Sequence, residues 1–161
     1  MNMSIDPIRI DFLANHLGLI DTISQWYLEA WGKNTQNVER SKTLLLSRLN
    51  TNKLDMCYLC LENSELIGTV SLTKKGIPNN EEFTPCLMHL LVSPKYRCKG
   101  YGAKLVNFVK LQAKSFGFDK TYLFTTDKNI HLWYEKLGWD VIKENAAIDL
   151  DTRILRTDCE G

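Results

Sequence analysis

Residues 91–102 read Leu-Val-Ser-Pro-Lys-Tyr-Arg-Cys-Lys-Gly-Tyr-Gly, and this stretch decides both the fold and the candidate site. The pattern predicts an apolar strand over residues 87–92, a turn at Ser93-Pro94, and an amphipathic helix from about Gly102. The first N–H groups of a helix have no intrahelical acceptor, and the helix dipole places partial positive charge there. A strand, a glycine-bearing loop and a helix start in this order therefore predict an anion-binding site.

The side chains of the loop agree with an anionic ligand. Gly100 and Gly102 allow a sharp turn and a close approach of the backbone to a ligand. Arg97 and Lys99 add full positive charges, and Lys104 lies one turn into the helix. We expect the ligand to be a pyrophosphate, although the glycine pair alone is also compatible with an ordinary strand-to-helix turn.

Two other phosphate-binding motifs do not fit this loop. A Walker A loop requires G-x-x-x-x-G-K-[ST], which residues 100–105 do not supply. A dinucleotide fingerprint requires a glycine where Leu105 stands, and no βαβ unit opens the chain.

The loop instead resembles the acetyl-CoA loop of the GNAT superfamily of acyl-CoA-dependent N-acetyltransferases, whose signature is [R/Q]-x-x-G-x-[G/A]. A second block, residues 121–139, resembles a later strand and helix of that family, with the ending Tyr-Glu-Lys-Leu-Gly-Trp. The two blocks stand in the family's order and at its usual separation. The resemblance is strong over residues 54–143 and looser over the first 50.

The resemblance implies a single N-acetyltransferase domain over residues 1–161. Such an enzyme moves the acetyl group of acetyl-CoA to a primary amine by direct attack, with acetyl-CoA as co-substrate and no metal. The backbone at Leu91 and Val92 is expected to pair with the pantetheine arm like an additional strand. The cofactor-binding residues expected from the resemblance are Leu91, Val92, Arg97, Cys98, Lys99, Gly100, Tyr101, Gly102, Lys104 and Asn129.

Tyr134 stands where the family places a tyrosine acid, so the resemblance implies that it protonates the departing CoA thiolate. A phenol with a pKa near ~10 can donate a proton at neutral pH. The alternative is a packing tyrosine whose hydroxyl reaches a backbone carbonyl. In many relatives an asparagine at the position of Asn129 bonds the pantetheine amide, but it usually lies farther from the tyrosine than five residues.

The general base stays open. His89 could accept a proton, although a lone histidine in an apolar strand is more often a hydrogen-bonded core residue. Glu81 and Glu82 lie in the loop before this strand and could reach the acceptor, or could simply be solvated. A water relay is a further candidate. His16 and His131 are interpreted as structural or surface residues.

The five cysteines are an odd number, which indicates free thiols in a reducing compartment. Cys57-x-x-Cys60 lies in a predicted strand, where the two side chains point to opposite faces, so it is interpreted as buried thiols rather than a redox or zinc motif. Cys98 stands where relatives often carry glycine. It is interpreted as an inert substitution, with a redox-sensitive loop as the alternative.

Composition limits the function classes. The formal net charge is +1, so no bulk attraction to nucleic acid or to an anionic membrane is expected. The N-terminus lacks the features of a signal peptide, which favours a cytoplasmic protein. We expect a monomer or a homodimer. Other hypotheses are a CoA-binding sensor or scaffold that transfers nothing, and transfer of a longer acyl group.

The patterns predict an α/β fold, a mixed sheet with helices on both faces. Acceptor-facing parts of such a fold are the first two helices, an exposed loop over 74–85 and the last hairpin. Helices are predicted over 19–31, 38–49, 102–115 and 128–137. Strands are predicted over 56–61, 66–73, 87–92, 120–125, 139–143 and 148–156.

Overall fold

The computed structural model describes residues 7–32, 37–127, 129–144 and 152–159, which form seven strands and four α-helices. The helices are α1 (Ile20–Trp31), α2 (Val38–Leu46), α3 (Tyr101–Ser115) and α4 (Ile130–Lys136). The strands are β1 (Ile8–Phe12), β2 (Met56–Glu62), β3 (Glu65–Thr73), β4 (Cys86–Val92), β5 (Lys120–Thr125), β6 (Asp140–Glu144) and β7 (Arg153–Asp158).

The strands form one mixed sheet in the order β1-β2-β3-β4-β5-β7-β6, flanked by helices. β4 and β5 pair in parallel through Cys86 and Tyr122. The pairs β1–β2, β5–β7 and β6–β7 are antiparallel. The predicted fold class, an α/β protein with a mixed sheet, is confirmed.

The chain forms two compact units. Among the described residues, the first unit holds those up to 71 together with 89–105, and the second holds 72–88 and those from 106 onward. β4 contributes to both units, because its start belongs to the second and its end to the first.

Each unit has its own hydrophobic core. In the first unit, α1 contributes Ile20, Ile23 and Tyr27, whose spacing places them on one face of the helix. They pack with apolar residues of α2 and β2, including Leu45 and Leu59. The core of the second unit is built on Ile77, Cys86 and Ile154, against which Phe83 and Tyr122 stack with ring centroids 4.9 Å apart.

The predicted element order contains no strand before α1, and this is wrong. β1 pairs with β2 so that Ile8 lies opposite Glu62 and Phe12 opposite Tyr58. Residues 8–12 read Ile-Arg-Ile-Asp-Phe, an alternation with the period of two that indicates a half-buried strand. The strand is only five residues long, which leaves little periodic signal for a sequence argument to use.

α2 ends earlier than its predicted bound at residue 49. The N–H of Ser47 bonds to the carbonyls of Thr43 and Leu44, and the N–H of Arg48 bonds to the carbonyl of Leu45 at 2.9 Å. Hydrogen bonds between residues three apart tighten the last turn, and the helix ends there. Leu49 then forms an isolated antiparallel bridge with Met56 instead of continuing the helix.

The loop over 74–85 has no helix or strand, as predicted, but it is not wholly exposed. Ile77 and Asn80 are buried. The side-chain oxygen of Asn80 accepts a hydrogen bond from Nζ of Lys143 at 3.1 Å, and its Nδ2 donates to the carbonyl of Pro78 at 2.8 Å. The loop is therefore fixed to the second unit at its centre.

One further strand differs from its predicted bounds. The strand expected over 148–156 is observed as β7 from Arg153, and residues 148–151 lie outside the described part of the chain. In β4 only Cys86 and Leu87 are buried, and the other residues of the strand are half-buried.

Replacement of Gly68 by alanine should destabilise the protein by about 1–3 kcal/mol, because the added methyl group overpacks a buried position. A Cβ on Gly68 would lie 2.9 Å from the carbonyl oxygen of Leu91 and 3.2 Å from Cδ1 of Leu105. Gly18 has no atom within 4 Å of such a Cβ, so Gly18→Ala is the matched control. Unfolding by denaturant measures both variants, and equal midpoints would contradict the tight approach of β3 to β4.

Candidate active site

The end of β4 runs directly into the candidate anion-binding loop. A 3₁₀ turn over Pro94–Tyr96 follows the strand, and the N–H of Ser93 bonds to the carbonyl of Ile67 in β3 at 2.8 Å. The Tyr96 hydroxyl donates to Glu65 at 2.6 Å, which ties this turn to the start of β3. The loop is therefore anchored on its strand side before α3 begins at Tyr101.

The loop backbone adopts the left-handed conformation at two residues. Gly100 has a φ of +89°, which glycine accepts without strain, and Cys98 has a φ of +62°. A non-glycine residue in this region costs on the order of 1 kcal/mol. The glycine that relatives often carry in place of Cys98 would adopt the same backbone without that cost.

The positively charged side chains of the loop make different contacts. Nε of Arg97 donates to the carbonyl of Val92 at 3.0 Å. The ammonium groups of Lys95 and Lys99 lie 5.3 and 5.7 Å from the centre of the Tyr96 ring. Lys99, Arg97 and Lys104 are exposed, so their charges face solvent around the helix start, whereas Lys95 forms an ion pair with Glu65 at 2.9 Å.

A cleft of about 170 Å³ lies beside the end of β4. Trp26 and Ala30 of α1 line one side, and Leu91, Val92 and Arg97 line the other. An extended apolar chain could therefore lie against the end of the strand and reach the loop. Glu29 of α1 also lines this cleft, and no sequence argument had singled it out.

Tyr134 belongs to the second unit, where it is buried among aromatic rings. Its ring centroid lies 4.9 Å from that of Trp133 and 5.7 Å from that of Trp139. Burial raises the pKa of Tyr134 above its ordinary value. The phenol is consequently protonated at neutral pH, which a general acid requires and a packing residue also satisfies.

Asn129 is exposed at the start of α4, and its side chain does not cap the helix. That role falls to Asp127, whose Oδ1 accepts the N–H groups of Asn129 at 2.7 Å and Ile130 at 3.1 Å. These two hydrogen bonds lower the pKa of Asp127. The side-chain amide of Asn129 therefore takes no part in capping and is left available to a ligand.

His89 is held by a buried arginine. Nη1 of Arg48 lies 2.9 Å from Nδ1 of His89. A guanidinium can only donate, so Nδ1 accepts, and the proton of the neutral ring lies on Nε2. Burial and the charge of Arg48 lower the pKa of His89 to about 3. Neither ring nitrogen is then free to accept a proton, so His89 does not suit the general-base role.

The sequence analysis missed Arg48, which is only 4% exposed. Its Nη1 also donates to Oγ of Ser71 at 3.0 Å. Ser41, Leu45 and Arg48 follow one another at helical spacing, and all three are buried. The sequence signal for this residue is an arginine at a position where the helical spacing predicts a buried side chain.

Three of the four other candidate acids and bases have a local partner. His16 lies 2.8 Å from Asp11, and His131 lies 2.8 Å from Glu135. Glu81 forms an exposed ion pair with Lys75 at 3.8 Å, and Glu82 is exposed. These contacts agree with the interpretation of both histidines as structural or surface residues, which stays a prediction.

The remaining cysteines are buried thiols, as interpreted from the sequence for Cys57 and Cys60. Among the described residues, no group of three or more histidine, cysteine, aspartate or glutamate side chains could hold a metal ion. None of the described helices is both long and apolar enough to cross a membrane.

Comparison with known families agrees with this geometry. The model of the Acetyltransferase (GNAT) family matches residues 20–139. The chain belongs to this family. No curated protein sequence gives a significant match to this chain.

Solved structures with GNAT folds resemble the chain over nearly its whole length. A GNAT acetyltransferase from Staphylococcus aureus Mu50 is 22% identical, with a TM-score of 0.68 over 95% of this chain and 99% of that one. An aminoglycoside 6'-N-acetyltransferase complexed with coenzyme A is 18% identical, with a TM-score of 0.75 over 95% and 98%. The aminoglycoside 6'-N-acetyltransferase from Enterococcus faecium is 17% identical, with a TM-score of 0.73 over 95% and 98%. At these identities the likeness shows the fold.

The first unit of this GNAT chain brings together most of the predicted cofactor residues. Leu91 and Val92 line the cleft, and residues 97–104 form the loop and the first turn of α3. Tyr134 and Asn129 lie in the second unit. The assignment of cofactor and catalytic roles to these residues stays a prediction.

The low pKa of His89 predicts that stability falls as the pH decreases from about 6.5 toward 3. In that window the unfolded chain binds a proton at this histidine, with an ordinary pKa near ~6.5, and the folded chain does not. His89→Asn keeps a short side chain that can accept from Arg48 and tolerates a positive φ. The free energy of unfolding should therefore fall less between pH 7 and pH 5 in the variant than in the unmodified protein. Equal decreases would contradict the burial of a neutral imidazole.

Proposed function

We propose that the protein transfers the acetyl group of acetyl-CoA to a primary amine, as an N-acetyltransferase of the cytoplasm. The observation that carries this proposal is the loop over residues 97–102. It combines a left-handed turn at Gly100, exposed cations and the start of a fifteen-residue helix. The N–H groups of such a helix start suit a pyrophosphate.

The open end of β4 supports binding of the rest of the cofactor. Leu91 and Val92 are half-buried and border the cleft that leads to the loop. An extended pantetheine arm in this cleft would add backbone hydrogen bonds in the manner of an extra strand. The Val92 carbonyl already accepts from Arg97, so this arginine would have to share or release it.

The reaction needs no covalent enzyme intermediate. The neutral amine attacks the thioester carbonyl carbon, the C–S bond breaks, the nitrogen loses a proton, and the CoA thiolate gains one. Positioning of the two reactants supplies much of the rate in such a transfer. We assign the proton for the thiolate to Tyr134 and removal of the amine proton to solvent water, since His89 has no free acceptor.

A CoA-binding sensor or scaffold would share the loop and the cleft but transfer nothing. Release of free CoA thiol in the presence of acetyl-CoA and a panel of amines distinguishes the two hypotheses. Polyamines, aminoglycosides, amino acids and peptides cover the main acceptor chemistries. The same assay with longer acyl-CoA esters tests the hypothesis of a larger acyl group.

Gly100→Val should abolish measurable CoA binding, because a branched side chain would fill the space of the pyrophosphate. The loss of several charge-assisted hydrogen bonds corresponds to about a hundredfold or more in affinity. Gly117→Val is the matched control, since Gly117 has a φ of +91° and, like Gly100, no atom within 4 Å of an added Cβ. Titration calorimetry with CoA measures both variants. Unchanged affinity in folded Gly100→Val would refute the assignment of the loop.

Tyr134→Phe should lower kcat by about a hundredfold while leaving the affinity for acetyl-CoA nearly unchanged, because the proton is donated in the transition state. Tyr58→Phe removes another buried phenol, one that donates to the Met56 sulfur at 3.2 Å in β2, and should keep full activity. Steady-state kinetics across the pH range compare the two variants. Full activity of Tyr134→Phe would leave this tyrosine as a packing residue.

A further inference from the structure

Arg48 carries a buried positive charge that nothing in the described part of the chain balances. The side chain is 4% exposed, and its recorded hydrogen-bond partners are Oγ of Ser71 and Nδ1 of His89. Neither partner is an anion. Among residues 7–32, 37–127, 129–144 and 152–159, no carboxylate lies within ion-pair distance of this guanidinium.

The titratable groups that face Arg48 are neutral at pH 7. Tyr27 of α1 and Cys57 of β2 are both buried, and burial raises the pKa of each side chain above its ordinary value. From β4, His89 is neutral because its pKa is about 3. The C-terminus of α2, which directly precedes Arg48, offers only the partial negative charge of a short helix. One full positive charge therefore stays uncompensated in this cluster.

The cluster reaches the surface through its aromatic members. His89 is half-buried, and Trp31 is 42% exposed. The His89 ring lies 5.3 Å from the Trp31 ring and 5.0 Å from the Tyr27 ring, measured between centroids. Since Nδ1 of His89 accepts from Arg48, its Nε2–H is a fixed donor. An anion seated at this surface would meet that donor, with the guanidinium behind it.

We propose that Arg48 and His89, beside the ring of Trp31, form an anion subsite for the acceptor and that the acceptor is an amine that also carries a carboxylate. This proposal rests on the proposed acetyl transfer. A single negative charge balances the single uncompensated charge of the cluster, whereas a phosphate dianion would leave an excess. Free amino acids and peptides with an accessible carboxylate share this chemistry.

The position of the cluster in the chain agrees with an acceptor role. Its members come from α1, from the residues after α2, and from β3 and β4. The first two helices are the acceptor-facing elements expected for this fold. The cleft beside the end of β4 is lined by other residues of α1 and β4, so the proposed subsite and the proposed cofactor cleft use different side chains of the same elements.

The test compares amines that differ only in the carboxylate. Glycine, β-alanine, glutamate and a short peptide with a free C-terminus are each paired with the corresponding carboxamide. Titration calorimetry measures binding of both members of each pair to the CoA-loaded protein, and a thiol-release assay measures transfer. At least one acid should bind about tenfold or more tightly than its amide, as expected for hydrogen bonds to a charged group. The identity of the preferred acid shows whether the acceptor is a free amino acid or a peptide.

Variants assign the preference to Arg48. Arg48→Met should reduce the affinity for the acid to that for the amide while leaving the KM for acetyl-CoA unchanged. Arg48→Lys keeps the charge without the planar fork, so it should retain part of the preference even where the methionine variant fails to fold. Arg9→Met, which removes an exposed arginine of β1, is the control for a general loss of positive charge and should behave as the unmodified protein.

The outcomes separate the two proposals. Equal binding of acid and amide, or a preference that survives in Arg48→Met, overturns the anion subsite while leaving acetyl transfer to neutral amines intact. A preference of the CoA-loaded protein for the acid that Arg48→Met abolishes supports the subsite even where no acetyl group is transferred. In that case the failure lies with the proposed acetyl transfer.

Discussion

The rest of the structure depends on β4, because the start of this strand is packed in a core while its end borders a cleft. At its start, Cys86 is buried in the core of the second unit and pairs with β5. At its end, Leu91 packs partly against the core of the first unit and also borders a cleft. β4 pairs with β5 at Cys86 and Tyr122, and an extended chain could pair with the far end of the strand. Here the feature serves a proposed ligand, since the strand leads directly into the anion-binding loop.

Arg48 shows how a polar group in the core can indicate function. Isolation of an ion from water costs several kcal/mol, and two neutral hydrogen bonds repay only part of this. The dipole at the C-terminus of α2 stabilises a nearby positive charge by about 0.3–1 kcal/mol at an exposed site and by up to ~2 kcal/mol at a partly buried one. A structural role alone would be served as well by an apolar side chain of similar volume. The residual cost is explained if an anion completes the cluster, which links a stability argument to the identity of the acceptor.

The parts of the structure that the sequence predicted are those with local signals. β5 has its predicted bounds of 120–125, and the loop over 97–102 and α3 follow one another as expected. Glycine positions, capping and periodicity are all encoded within a few residues. β1 was missed because five residues carry little periodicity, and its position is set by pairing with β2.

The candidate site was predicted less completely, for a physical reason. Arg48 lies 23 residues before Ser71 and 41 before His89, so its hydrogen bonds have no local pattern. The sequence likewise carries no sign that Arg48 donates to Nδ1 of His89. Without this hydrogen bond, His89 is a reasonable candidate for the base. Half-burial of β4 is likewise a tertiary property, and an apolar run alone does not distinguish it from full coverage.

Backbone strain is an independent observation that agrees with the proposed position of the ligand. Non-glycine residues with positive φ in the described ranges are Asn63, Asn79, His89 and Cys98. The two asparagines are of a type that tolerates this conformation in turns. The other two bracket the segment proposed to hold the pantetheine arm and the start of the pyrophosphate loop. Such strain persists only where the surrounding structure enforces it, and it clusters at ligand sites. The chain therefore fixes its backbone at both ends of the segment along which the extended ligand is proposed to lie.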